Sequence, residues 1–83
     1  MAVLQRPDWY GEPIRLSRVW HLTKGRRQAE CALYSHQFGW ELRLVAGVEV
    51  LQTRVCRSED EVLNTHEEWR RAMLRAGWTD PSA

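Results

Sequence analysis

Most of what usually announces a function is missing from this chain of 83 residues. Two cysteines, Cys31 and Cys56, are too few to frame a disulfide scaffold. With 12 basic and 11 acidic residues the net charge is +1, which lacks the basic excess of a dedicated polyanion binder. No apolar run approaches the length needed to span a bilayer, so no membrane partner is expected. The opening apolar run, Met1 to Leu4, is broken at once by Gln5, Arg6 and Pro7 and does not read as a secretory leader. A cytoplasmic protein with reduced thiols is the expectation.

Chemical motifs are equally scarce. His21, His36 and His66, together with the two cysteines, show no spacing of the C-x2-C or H-x3-H kind that zinc sites use. Neither the nucleophile elbow G-x-S-x-G nor the phosphate loop G-x4-G-K-[ST] occurs. Adjacent acids are confined to Glu59-Asp60-Glu61 and Glu67-Glu68, and a helix accounts for both groups. No metal, no cofactor and no catalysis are therefore expected; an enzyme would need His21, Tyr34 and Glu30 to converge in a cleft.

What is present is a well-specified fold. Five tryptophans (Trp9, Trp20, Trp40, Trp69 and Trp78) supply bulk that a domain this small otherwise lacks. The clearest element is a helix over 58–78. Ser58 and Glu61 have capping-box spacing, acids crowd the first turn, arginines crowd the last, and Gly77-Trp78 reads as a Schellman stop. Val62, His66, Trp69, Met73 and Ala76 recur at helical spacing as a buried stripe, with Leu63 and Leu74 on its shoulders and His66 a hydrogen-bonded core histidine.

Ahead of the helix lie four candidate strands, 14–23, 27–35, 40–46 and 49–57. Gly25-Arg26 and Gly47-Val48 have the composition of two-residue type II′ hairpin turns, and a four-residue loop joins the middle pair. The register then follows by counting. Leu22 faces Ala29, Trp20 faces Cys31, Leu33 faces Leu42, Leu44 faces Leu51 and Trp40 faces Val55. One apolar face results, and a slip of one residue would scramble it. The expected architecture is α+β: a four-stranded antiparallel meander with one C-terminal helix on one face (ββββα). Residues 14–78 form the domain, 1–13 an irregular arm carrying Trp9 and Tyr10, and 79–83 a polar tail.

Function is then sought on the uncovered face. There the expected register places Val19, His21, Glu30, Ala32, Tyr34, Glu41, Arg43, Val45, Val50 and Arg54, with His21 opposite Glu30 and Glu41 opposite Arg54. Compensating charges suit a solvated sheet surface. The same face reads as a self-association surface, with Val19, Ala32, Val45 and Val50 forming an apolar strip. Val19, His21, Tyr34, Arg43, Val45, Val50 and Arg54, with Trp9 and Tyr10 of the arm, are the candidate contact residues of a homodimer or another protein partner. The alternative is a single-stranded nucleic-acid platform using Tyr34, Arg43 and Arg54 and the hairpin tip Lys24, Arg26 and Arg27. Glu30 and Glu41 in the middle of that platform oppose phosphate binding.

W-H-L-T-K-G (20–25), G-W-E-L-R (39–43), C-R-S (56–58), E-W-R (68–70) and G-W (77–78) together resemble a group of short uncharacterised bacterial proteins. The resemblance covers about 20–78 and implies a bacterial source and a compact domain, with no activity attached. In topology alone, ββββα modules are also similar to single-stranded-DNA binders of the Whirly and coactivator type. The near-neutral charge here departs from theirs. The combined expectation is a small interaction module that self-associates and acts through protein contacts.

Overall fold

The computed structural model describes residues 5–82, so Met1–Leu4 of the arm and Ala83 of the tail lie outside the described residues. Four strands, β1 (Arg15–Lys24), β2 (Arg27–His36), β3 (Gly39–Ala46) and β4 (Glu49–Cys56), precede a helix, α1 (Glu59–Arg75). The strands make one open antiparallel sheet in the order β1-β2-β3-β4. This is the ββββα arrangement that the hairpin arithmetic predicts.

The outer turns match their sequence. Gly25 and Gly47 sit at φ +60° and +62° while, among the described residues, no other residue type takes a positive φ, the pattern of a type II′ turn with glycine first. The middle connection is tighter than expected. His36 pairs with Gly39, which leaves a two-residue turn of Gln37 and Phe38.

Register holds across the first half of the sheet and departs from expectation at its two edges. Leu22↔Ala29, Trp20↔Cys31 and Leu33↔Leu42 pair as counted. In β4 a bulge follows Val45↔Val50, so Leu44 pairs with Gln52 and Trp40 with Cys56. That extra residue turns Cys56 into the core and leaves Leu51 and Val55 exposed, the reverse of the sequence expectation. In β1, shifts between Arg15 and Ser17 and between Arg18 and Trp20 mark two further irregularities.

The core lies between the sheet and α1. It contains Leu22, Ala29, Cys31, Leu33, Trp40, Leu42, Leu44, Ala46 and Cys56 from the strands, and Val62, Trp69, Met73 and Trp78 from the helix and its stop. Thr65 is buried in the helix stripe where His66 was expected, and Ala76 is exposed. Trp20 Nε1 donates to the His66 carbonyl at 3.2 Å, stitching β1 to α1.

Both helix ends are closed as the sequence indicates. Ser58 Oγ accepts from the Glu61 N–H at 3.2 Å. At the other end the Trp78 N–H reaches the Met73 carbonyl and the Gly77 N–H the Leu74 carbonyl, each at 3.1 Å, with Gly77 at φ +97°. That is a Schellman motif. Lys24 Nζ adds a bond to the Ala76 carbonyl at 2.7 Å, where a cation suits the helix dipole.

The polar tail is more engaged than its composition suggests. Thr79 and Thr23 exchange two backbone hydrogen bonds of 2.8 Å, placing a single-residue bridge against the outer edge of β1. Asp80 accepts from Arg70 at 2.9 Å and from both the N–H and the hydroxyl of Ser82. Those bonds, Ser82's first and then Arg70's, hold the Asp80 carboxyl at a pKa of about 2.

Candidate interaction surface

Residues opposite one another in a sheet share a face, so the observed register decides which side chains meet on the side away from α1. Arg18↔Ala32, His21↔Glu30, Ala32↔Arg43, Tyr34↔Glu41, Glu30↔Val45 and Val45↔Val50 belong to that face. Its centre is paved by arginine. Arg15 starts opposite Tyr34 and donates to both oxygens of Glu30, at 2.6 and 3.3 Å, which carries its side chain across Ala32. Ala32 is only 1% exposed although it points away from the helix. The same bridge draws the Glu30 carboxyl below its usual pKa. Arg43 lies over the Tyr34 ring at 4.0 Å and donates through Nε to Glu41.

The nominated contact residues are not gathered on this face as expected. His21, Tyr34, Arg43, Val45 and Val50 do lie on it, with His21 Nε2 3.1 Å from Gln28 Oε1. Val19 does not. It sits at the irregularity between Arg18 and Trp20 and packs against the core. Arg54 does not either, because the β4 bulge pairs it with Leu42 on the helix side, and Glu41 faces Val55 instead. The strip Val19-Ala32-Val45-Val50 is therefore broken: one residue turns inward and one is covered.

The arm lies at the far end. Trp9 is half-buried with its ring centroid 6.0 Å from that of His36, which in turn is 5.5 Å from Phe38; Arg57 lies over Phe38 at 4.4 Å. Tyr10 is 72% exposed, and its hydroxyl donates to Asp8. His36 lies six residues along β2 from Glu30, the partner of Val45, which is about 20 Å of strand. Trp9 and Tyr10 thus do not join Val45 and Val50.

The residues proposed for nucleic acid also fail to converge. Lys24 closes the helix end, Arg27 lies over Trp78 at 5.0 Å, and Arg43 already occupies the ring of Tyr34. Arg26 is exposed at its turn, and Arg54 faces the other way. A shallow depression of about 390 Å³ is lined by Arg18, His21, Gln28, Ala29, Glu30, Val45 and Gly47, without Tyr34. Among the described residues no group of three or more histidines, cysteines or acids is placed to hold a metal. The thiols of Cys31 and Cys56 are both free and buried, and burial pushes Cys31 up to about 12, so neither is activated as a nucleophile.

What sequence reasoning missed is that Leu51 and Val55, at 40 and 38% exposure, join the nominated Val50 (55%) along β4, with Val48 (101%) exposed in the turn before it. Leu51 and Val55 had been assigned to the core. The available signal was Thr53, the one polar residue in that supposed core alternation. Every residue from Glu49 to Val55 is exposed, and among the described residues the outer edge of β4 has no neighbouring strand. Such an edge presents unpaired backbone donors and acceptors that can accept another strand. Among the described residues no helix is long and apolar enough to cross a membrane. Comparison with family models, curated proteins and solved structures finds no match for this chain.

Proposed function

We propose that this chain is a small non-catalytic interaction module that self-associates and acts through protein contacts, in the cytoplasm, where its two free cysteines stay reduced. The observation that carries this reading is the exposed line of Val50, Leu51 and Val55 on the uncovered strand β4, with Val48 in the turn before it. Single exposed apolar residues are ordinary, but four gathered along one free strand edge and its turn form a surface suited to association. The polar groups of the opposite face support the same reading. Arg15 pairs with Glu30 and Arg43 with Glu41, so these charges are engaged with one another.

Sedimentation velocity across the micromolar range tests the proposal. A concentration-dependent shift from monomer toward dimer is expected. A single monomeric species throughout that range overturns it.

A further inference from the structure

The two edges of the sheet are treated differently. Both edges carry irregularities and charges, but the β1 edge is also partly covered, by the Thr79 bridge to Thr23. Covering an edge in this way discourages strand addition there. The β4 edge lacks lysine and proline and leaves its exposed valines and leucine unpartnered. Its charges also have a definite order, acid at the start (Glu49) and base near the end (Arg54).

We infer that the partner at this edge is β4 of a second copy, paired antiparallel about a two-fold axis perpendicular to the sheet, with Glu49 of each copy opposite Arg54 of the other. This rests on the self-association reading above and names the surface that carries it. The register follows from the bulge. Glu49 shares the helix-side face with Ala46, its partner in β3, and Arg54 shares it with Leu42. Val50 and Thr53 share the opposite face with Val45 and Arg43. In an unbulged strand, positions five apart point to opposite sides, and a same-face pairing of 49 with 54 is impossible. The extra residue after Val50 brings both onto one side.

The remaining pairs then fall into place. Val50 lies opposite Thr53, the bulges at Leu51 and Gln52 meet at the axis, and Val48 lies opposite Val55. Val48, Val50, Leu51 and Val55 each gain a cross-strand neighbour on this edge, and two ion pairs form by symmetry. Sliding to the register with Val50 opposite Val55 places Glu49 against the buried Cys56 and loses both ion pairs. Charge order therefore selects the first register. The product is a continuous sheet with both helices on the same side.

A charge-swap experiment reads this directly. Glu49→Arg and Arg54→Glu each set like charges opposite one another at two symmetric positions, and each should weaken the homodimer by about tenfold or more, from the cross-strand pair energies. Mixing the two variants restores opposite charges at both positions, so a heterodimer should form at near wild-type strength, visible by sedimentation with one variant labelled. Circular dichroism of each variant alone checks that the fold is retained; β4 is exposed at both sites, so it should be. If wild type dimerises but neither variant weakens it, or the mixture stays as weak as its components, the β4 pairing is overturned while self-association stands. If wild type remains monomeric, the self-association reading itself fails.

Discussion

His66 shows how a single residue can report on the packing of the whole helix. Its Nδ1 atom is buried with no hydrogen-bond partner among the described residues, while its carbonyl holds Trp20. The buried stripe runs through Thr65 instead, beside the buried thiol of Cys56. Burial lowers the His66 pKa below its ordinary 6.5, against a smaller opposing pull from Glu67. The imidazole is therefore held neutral in the folded chain and protonates first in the unfolded one. Its contribution to stability is fully present above about pH 6.5. It is lost as the pH falls toward the lowered folded pKa and is gone below it. Urea midpoints for the wild type should accordingly decline from pH 7 to pH 5, and His66→Gln should flatten part of that decline. Parallel slopes for the two proteins would show that the ring titrates equally in both states.

At the scale of elements, hairpin content and helix grammar were legible in the residues themselves, because turns and caps demand particular side chains. Gly25, Gly47, Ser58 and Gly77 each stand where backbone geometry requires them. The bulge in β4 was not legible, since inserting one residue into a strand needs no special residue type. The apolar pattern favours the expected register, with Leu51 and Val55 on the helix side, whereas the observed one sets Glu49, Gln52 and Arg54 there and buries Cys56 alone. Packing decides, and it selects Cys56. With that register Arg54 changed sides, and Leu51 and Val55 were counted as core although they are exposed. The tail was misread for a related reason: its attachment to β1 runs through backbone atoms that no side-chain pattern reveals. Thr79→Pro tests the attachment by removing the N–H that bonds the Thr23 carbonyl. It should cost about 1–3 kcal/mol, the range for leaving a backbone partner unmatched. Thr79→Val keeps the backbone donor and loses only the hydroxyl contacts with Thr23. Its urea midpoint should stay near that of the wild type. Equal losses in the two variants would place the value of the bridge in the hydroxyl.

For the molecule as a whole, the governing fact is a single thin core between one helix and one face of a four-stranded sheet. A domain of 83 residues has a folding stability of roughly 4–12 kcal/mol, from the usual per-residue range. Trp69 is 8% exposed and lies in the core cluster between Val62 and Met73 of the same helix. Trp69→Ala removes that ring from a layer with no second core to compensate, and should cost about 3–5 kcal/mol. That is a large share of the whole and, at the lower end of the stability range, all of it. Trp9 is the matched comparison, since it lies at the rim against His36 and outside the core cluster. Trp9→Ala should cost about 1 kcal/mol or less, as for substitutions away from the core. Thermal melts followed by far-UV circular dichroism separate the two: a lost or sharply lowered transition for Trp69→Ala beside a near-normal one for Trp9→Ala. Comparable losses would mean that the arm belongs to the folding unit as fully as the helix does. The domain would then be a structure clamped at both ends rather than a sheet with a lid.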